Sequence, residues 1–133
     1  MRFWKIGPVI AYDSNLPVVT NFRHSVTVLV EIFNGPYGRL LQHLLGAAQS
    51  DPELGEAFAK RWIEPRRQMG REAIVEAVKK GELDPELDPE LSMDLIYGVV
   101  YYRLTVSFSA MDDGFIEAIV DRDLGGYLVG RSV

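Results

Sequence analysis

The stretch Glu82–Leu91 reads ELDPELDPEL and leads directly into Ser92–Leu104, which reads SMDLIYGVVYYRL. A third copy of the DPEL sequence occupies Asp51–Leu54. Aspartate accepts hydrogen bonds from the free amides at a helix start, proline has the right φ for the first helical position, and glutamate opposes the positive end of the helix dipole. The DPEL copies are therefore predicted to be boundaries between helices rather than a ligand-binding motif.

Only one of two caps that lie four residues apart can open the same helix. Asp88 is therefore predicted to begin the long helix, and Asp84-Pro85-Glu86 is predicted to form a turn in the connection before it. Asp51 is predicted to begin an earlier helix. Within that earlier helix Pro65 lacks an amide hydrogen and clashes with the preceding turn, so we expect a break or kink near Ile63.

Apolar residues recur at helical spacing through most of the remaining chain from residue 17 onward. The segment 18–34 contains many β-branched residues and would also suit a strand, but Phe22, Val26, Leu29 and Phe33 follow a helical period. The sequence contains no credible pair of strands. We expect six helices joined by short connections, and therefore an all-α domain.

Bulk composition limits the class of protein. The 133 residues suit one domain, and the absence of cysteine excludes disulfides, thiolate metal sites and cysteine nucleophiles. The net charge of -5 opposes nucleic-acid binding, and the local basic stretch RWIEPRRQMGR is interpreted as a solvated helix face. No run reaches the ~20 apolar residues of a membrane span, and no secretory signal is recognisable, so a cytoplasmic location is expected.

Residues that could carry catalysis are not arranged for it. His24 and His43 lack a carboxylate or histidine at metal-ligand spacing, and Ser25, Ser107 and Ser109 lack a nucleophile motif or an evident base. No glycine-rich loop has the phosphate-binding pattern. We therefore expect no catalytic residues, no metal and no cofactor, and predict that the protein is not an enzyme.

The segment 91–108 is apolar on nearly every side of the predicted helix, so each side should be buried. It is either the central helix of a small domain or a helix with one face covered by a second subunit, most commonly in a two-fold dimer. The sequence pattern alone slightly favours the central helix. Aromatic residues also recur on the helical stripes, which raises the chance of a cavity between helices.

The order of these segments resembles the C-terminal regulatory domain of TetR-family transcriptional repressors over about residues 16–126. The resemblance is carried by LPVVTNFRHSV, by GPYGRLLQHLLGAAQSDPELGEAFAKRWIEPRRQ and by AVKKGELDPELDPELSMDLIYGVVYYRLTVS. It implies a regulatory domain at residues 16–128 followed by a tail at 129–133. Residues 1–15 do not match and are expected to form a separate, disordered segment.

The resemblance implies a small apolar or aromatic effector and a homodimer whose last two helices form a four-helix interface. It also favours the subunit interface over the central helix for the segment 91–108. The implied ligand-binding residues are Phe33, Tyr37, Leu41, Phe58, Trp62, Met69, Tyr97 and Tyr101. The implied interface residues are Leu95, Val99, Tyr102, Val106, Ile116, Ile119 and Val120.

The helix-turn-helix domain of the family should precede residue 16, and residues 1–15 are too few to form its three helices. The chain alone is therefore expected not to bind DNA. Our leading hypothesis is an effector-sensing, homodimerising domain of a TetR-like repressor without its DNA-binding domain. The alternative is a stand-alone interaction module that forms heterodimers with a full-length TetR-like regulator.

Overall fold

The structure, a computed structural model, describes residues 12–130 and confirms the all-α class. Over these residues it contains no strand, only an isolated bridge between Leu83 and Leu128. The helices are α1 (Val18–Asn34), α2 (Gly38–Ala48), α3 (Pro52–Phe58), α4 (Glu64–Lys79), α5 (Pro89–Tyr102) and α6 (Asp113–Leu124). Two π-helical segments, Ala59–Ile63 and Arg103–Ser107, follow α3 and α5, and a 3₁₀ turn, Gly125–Tyr127, follows α6.

The sequence predicts a break or kink near Ile63. No break occurs, because α3, the π segment Ala59–Ile63 and α4 form one continuous rod, and the irregularity near Ile63 is a π turn. The amide of Glu64 bonds to the carbonyl of Ala59, five residues earlier, so the helix is wider here than an α-helix. A π turn accommodates a proline that supplies no amide hydrogen. The described chain therefore forms five continuous helical rods, and the prediction of six separate helices is wrong.

The capping predictions from the DPEL copies are confirmed. The Asp88 carboxylate accepts from the Glu90 amide at 3.0 Å, and the Asp51 carboxylate caps α3 in the same manner. The preceding copy forms the predicted turn, in which the Leu87 amide donates to the Asp84 carbonyl at 3.1 Å. Identical short sequences thus have different structures because only one of them can open α5.

The most enclosed helix is α1, which contacts α2, α4, α5 and α6. By contrast, α5 buries one side and leaves the other exposed in the single chain, so it is not the central helix that its sequence pattern slightly favoured. The buried apolar side of α5 continues into the π segment through Met93, Ile96, Val100 and Leu104. The apolar residues on the exposed side of α5 are not accounted for by packing within the single chain.

The start of α1 is fixed by a residue from the connection between α4 and α5. Pro17 provides no side-chain cap, and the Glu82 carboxylate accepts from the Val18 amide at 2.7 Å instead. The carbonyl of Glu82 also accepts from the Val129 amide at 3.0 Å. This connection therefore holds the beginning of the first helix and the end of the described chain.

The expected disorder of residues 1–15 falls largely outside the described residues, which begin at Tyr12. Residues 12–15 lie against the domain. The Asn21 side chain accepts from the Asp13 amide at 3.0 Å and donates to the Asp13 carbonyl at 2.8 Å. Residues 131–133 of the predicted tail also lie outside the described range.

Removing the cap of α5 should destabilise the domain. We expect Asp88→Ala to lower the free energy of unfolding by about 1 kcal/mol, because two amides of the first turn lose their acceptor. Asp88→Asn keeps an acceptor oxygen and should change stability by only a few tenths of that value. Urea unfolding followed by circular dichroism measures both, and equal losses in the two variants would contradict the capping role.

Candidate ligand-binding site

A cavity of about 350 Å³ lies where α1, α4, α5 and the Ala59–Ile63 segment meet. Its size falls in the lower part of the range of small-molecule pockets. Two tyrosines, two arginines and one carboxylate stand among apolar side chains in its wall. The lining residues are Leu29, Ile63, Arg66, Arg67, Met93, Asp94, Tyr97, Gly98 and Tyr101.

Arg66 is the main charged group of this wall, with only 8% of its surface exposed. Its guanidinium carbon lies 3.5 Å from the centre of the Trp62 ring, and its Nη1 donates to the Trp62 carbonyl. Its Nε and Nη2 atoms have no hydrogen-bond partner in residues 12–130. Burial lowers the pKa of Arg66, and the nearby Tyr101 and Tyr97 hydroxyls raise it. The side chain remains a cation, because arginine keeps its proton in proteins.

Tyr101 connects the cavity to the aromatic core. Its hydroxyl accepts from the Trp62 indole nitrogen at 2.8 Å, and its ring meets Phe33 edge-on with 5.2 Å between centres. Burial raises the pKa of Tyr101 to about 12, although the Trp62 hydrogen bond and Arg66 oppose this shift. The phenol is therefore protonated at neutral pH, and its own hydrogen can be donated to a further acceptor.

Tyr97 belongs to a ring of three hydroxyls. Its oxygen lies 2.7 Å from the Tyr12 oxygen and 2.7 Å from the Ser25 oxygen, and the Tyr12 hydroxyl donates to Ser25 at 3.2 Å. Burial raises the pKa of Tyr97 well above its ordinary value. One cavity residue is thus bonded to α1 through Ser25 and to the segment before α1 through Tyr12.

Ion pairs that include Arg67 and Asp94 of the cavity wall link α4 to α5. Arg67 contacts Asp94 at 2.7 Å and Glu90 at 3.1 Å, and Arg71 contacts Glu90 at 2.7 Å. Hydrogen bonding from Arg71, followed by that from Arg67, lowers the pKa of Glu90 to about 2 despite partial desolvation. Arg67 is therefore already paired with carboxylates, whereas Arg66 pairs with none in the part of the chain that the structure describes.

The structure brings together only some of the ligand-binding residues expected from the sequence. Tyr97 and Tyr101 line the cavity, and Met69 lines a separate groove of about 340 Å³ beside Tyr12. Tyr37 is half-buried at the start of α2. The remaining expected residues are buried in the core: Phe33, Leu41, Phe58 and Trp62. Of these, Trp62 and Phe33 contact Tyr101 of the cavity wall.

Sequence reasoning missed Arg66 because it interpreted RWIEPRRQMGR as a solvated face. That interpretation is wrong for Arg66, which is buried, and incomplete for Arg67, which lines the cavity. A usable signal was present, since Arg66 follows Trp62 by four residues and side chains at this spacing share a helix face. If Trp62 is taken as a core residue, this spacing predicts that Arg66 also faces the interior.

The expected interface residues fall into two groups. Leu95, Tyr102 and Val106 are exposed by 54%, 54% and 59% on one side of α5 and its extension, whereas Val99 and Ile119 are half-buried. Ile116 and Val120 lie in the core of the single chain, with 4% and 0% exposure. The side chains of Ile116 and Val120 thus pack within the single chain, and their assignment to a subunit interface stays a prediction.

The described residues also limit other kinds of site. No helix within residues 12–130 combines the length and the apolar character that crossing a membrane requires. In the same part of the chain, no group of three or more histidine, aspartate or glutamate side chains is placed to hold a metal ion.

Comparisons with known proteins identify the class of protein to which this fold belongs. Residues 18–122 match the sequence model of the tetracyclin repressor-like C-terminal domain. The chain therefore belongs to the TetR family of transcriptional regulators, through its C-terminal domain. This match covers most of the helical part of the chain and begins at the first residue of α1.

Two relatives support the assignment. An uncharacterized HTH-type transcriptional regulator of Bacillus subtilis (strain 168), YdeS, is 34% identical over 94 residues, which are 71% of this chain and 48% of the relative. The chain thus spans about half the length of that regulator. The crystal structure of the TetR family transcription regulator SCO0332 matches with a TM-score of 0.85 and 28% identity, over 93% of this chain and 69% of that one.

Replacing the buried arginine should stabilise the empty domain. We expect Arg66→Met to raise the free energy of unfolding by about 1 kcal/mol, because methionine fills similar space without burying an unpaired charge. The lost stacking on Trp62 offsets only part of this gain. Arg61→Met, which removes an exposed arginine of the same rod, is the matched control and should have little effect. Thermal unfolding measures both, and a destabilised Arg66→Met would show that the guanidinium has a stabilising role.

Proposed function

We propose that this chain is the effector-binding and homodimerisation domain of a TetR-family transcriptional regulator, acting in the cytoplasm by binding rather than by catalysis. The observation that carries the proposal is the double role of α5. Tyr97 and Tyr101 on this helix line the cavity, while Leu95 and Tyr102 point away from the domain. A single helix therefore connects a ligand-sized site with an uncovered apolar surface.

The uncovered surface, which we term the α5 stripe, consists of Leu91, Leu95, Tyr102 and Val106. Their spacings of four and seven residues place them on one face of the helix, and each is more than half exposed. Half-buried Val99 continues the same face. Contiguous exposed apolar residues mark interaction surfaces, and a two-fold axis lets a stripe of this kind pair with its own copy.

Binding in the cavity can influence such an interface only if the ligand distinguishes two arrangements of the domain. A shift of α5 would provide this distinction, because Tyr97 and Tyr101 of the cavity wall lie on the same helix as most of the α5 stripe. In a full-length regulator the arrangement of two subunits sets the spacing of their DNA-reading domains, so effector affinity and operator affinity become coupled. The lining of the cavity favours binding over catalysis, since it contains no histidine and its carboxylate, Asp94, is paired with Arg67.

Charges in the α5 stripe should dissociate the dimer. We expect Leu95→Asp and Val106→Asp each to weaken self-association by about 100-fold, because the two-fold axis buries two unpaired carboxylates for every substitution. Both positions are exposed in the single chain, so its fold should be retained. Sedimentation equilibrium over a series of protein concentrations measures the change.

The matched control is Val75→Asp, which places the same charge on an exposed valine of α4. This variant should associate like the original chain. A chain that stays monomeric throughout the concentration series would overturn the dimer proposal, and dimers that persist in both stripe variants would place the interface on another face.

A further inference from the structure

We propose that the cavity binds a small apolar carboxylic acid as its carboxylate, with the anion held by Arg66 and Tyr101. The inference rests on the proposed function, because it names the chemical class of the effector for the same cavity. It is carried by the hydrogen-bonding groups that the wall leaves unused.

The free atoms of Arg66 form a site suited to a carboxylate. Nε and Nη2 lie on the same edge of the guanidinium plane, and both lack a partner among the described residues. Two parallel N–H groups on one edge match the two oxygens of a carboxylate. The opposite side is already occupied, since Nη1 donates to the Trp62 carbonyl and the ring of Trp62 covers one face. The side chain is thereby held in one orientation before a ligand arrives.

Burial makes this arginine different from the others of the cavity and its rim. A buried charge without a partner is costly, and no carboxylate within residues 12–130 pairs with Arg66, which is 8% exposed. Arg67 lines the same cavity, but it is shared by Asp94 and Glu90. An incoming anion would have to displace these carboxylates from Arg67, whereas at Arg66 it would displace no carboxylate among the described residues.

The hydroxyl groups favour an acceptor at the same place. In the ring formed by Tyr12, Ser25 and Tyr97, three hydroxyls make three contacts, so each hydrogen is used within the ring. Tyr101 differs, because its oxygen accepts from Trp62 and its own hydrogen is not committed to any described residue. The wall residues therefore hold unused donors, namely one guanidinium edge and one phenol, and these suit a ligand with a negatively charged acceptor. Nε and Nη2 of Arg66 are closed to solvent in the empty domain, so a ligand reaches them only when a neighbouring side chain moves aside.

The rest of the wall defines the body of the ligand. Leu29, Ile63 and Met93 are apolar, and the volume of about 350 Å³ suits a small molecule. One unpaired cation balances a singly charged anion, whereas a doubly charged phosphate would leave excess negative charge in an apolar surrounding. A sugar would need more polar partners than the wall provides. These features together select an apolar monocarboxylate.

The test compares acids with neutral amides of the same shape. Titration calorimetry of the full chain uses three pairs: octanoate and octanamide, 4-phenylbutanoate and 4-phenylbutanamide, and indole-3-acetate and indole-3-acetamide. At least one acid should bind roughly 10-fold or more tightly than its amide, because a charged hydrogen-bonded pair forms only with the acid. Arg66→Met should remove this preference, and Tyr101→Phe should reduce it.

Two further variants keep the interpretation specific. Arg66→Lys keeps the charge but loses the two-pronged edge, so it should retain part of the preference for the acid. Arg61→Met removes an exposed arginine that does not line the cavity, and acid binding should be unchanged.

Equal binding of acids and amides, or acid binding that survives Arg66→Met, would overturn the anion assignment while leaving the cavity as an effector site. Absence of binding by all six compounds would overturn the assignment and count against effector binding in this cavity. The dimer half of the proposed function is measured independently by sedimentation, so the two failures are distinguishable.

Discussion

The missing amide hydrogen of Pro65 is the constraint on which the ligand-binding side of the domain depends. The chain continues as one rod from α3 to α4 despite this proline, and the ladder widens into the π segment Ala59–Ile63. Trp62, inside that segment, is fully buried, and its carbonyl receives the side chain of Arg66. π turns redirect side chains, which is why they recur at functional sites. Arg66, in the helical turn that follows, lies in the wall of the cavity.

A similar arrangement occurs at the end of α5. In the π segment Arg103–Ser107 the carbonyl of Leu104 accepts from the Gln42 side chain at 2.8 Å, so α2 is attached where the helix widens. The chain then turns at Phe108, which has a positive φ of 55°. The rod formed by α3 and α4 and the rod that begins with α5 therefore each contain a widened turn whose carbonyl oxygen accepts a hydrogen bond from a side chain.

Local chemistry was the part of this structure that the sequence could predict. The caps at Asp51 and Asp88 depend on residues within one turn, and all-α character follows from apolar spacing alone. The π segment was not predictable, because a proline inside a helix permits a break, a kink or a widened turn, and tertiary packing selects among them. The placement of Ile116 and Val120 inside the single chain was not predictable for a similar reason, since the docking of α6 on α1 decides which side of α6 faces inward.

The hydroxyl ring around Tyr97 has a thermodynamic consequence. Tyr12 precedes α1, on the side where the chain continues toward its N-terminus, and its phenol is bonded directly to a residue of the cavity wall. Any molecule that takes a hydrogen bond from Tyr97 must break this ring and so weaken the attachment of the preceding segment. Linkage works equally in reverse. Detachment of Tyr12 would therefore favour the binding of such a molecule by the same factor by which its binding favours detachment.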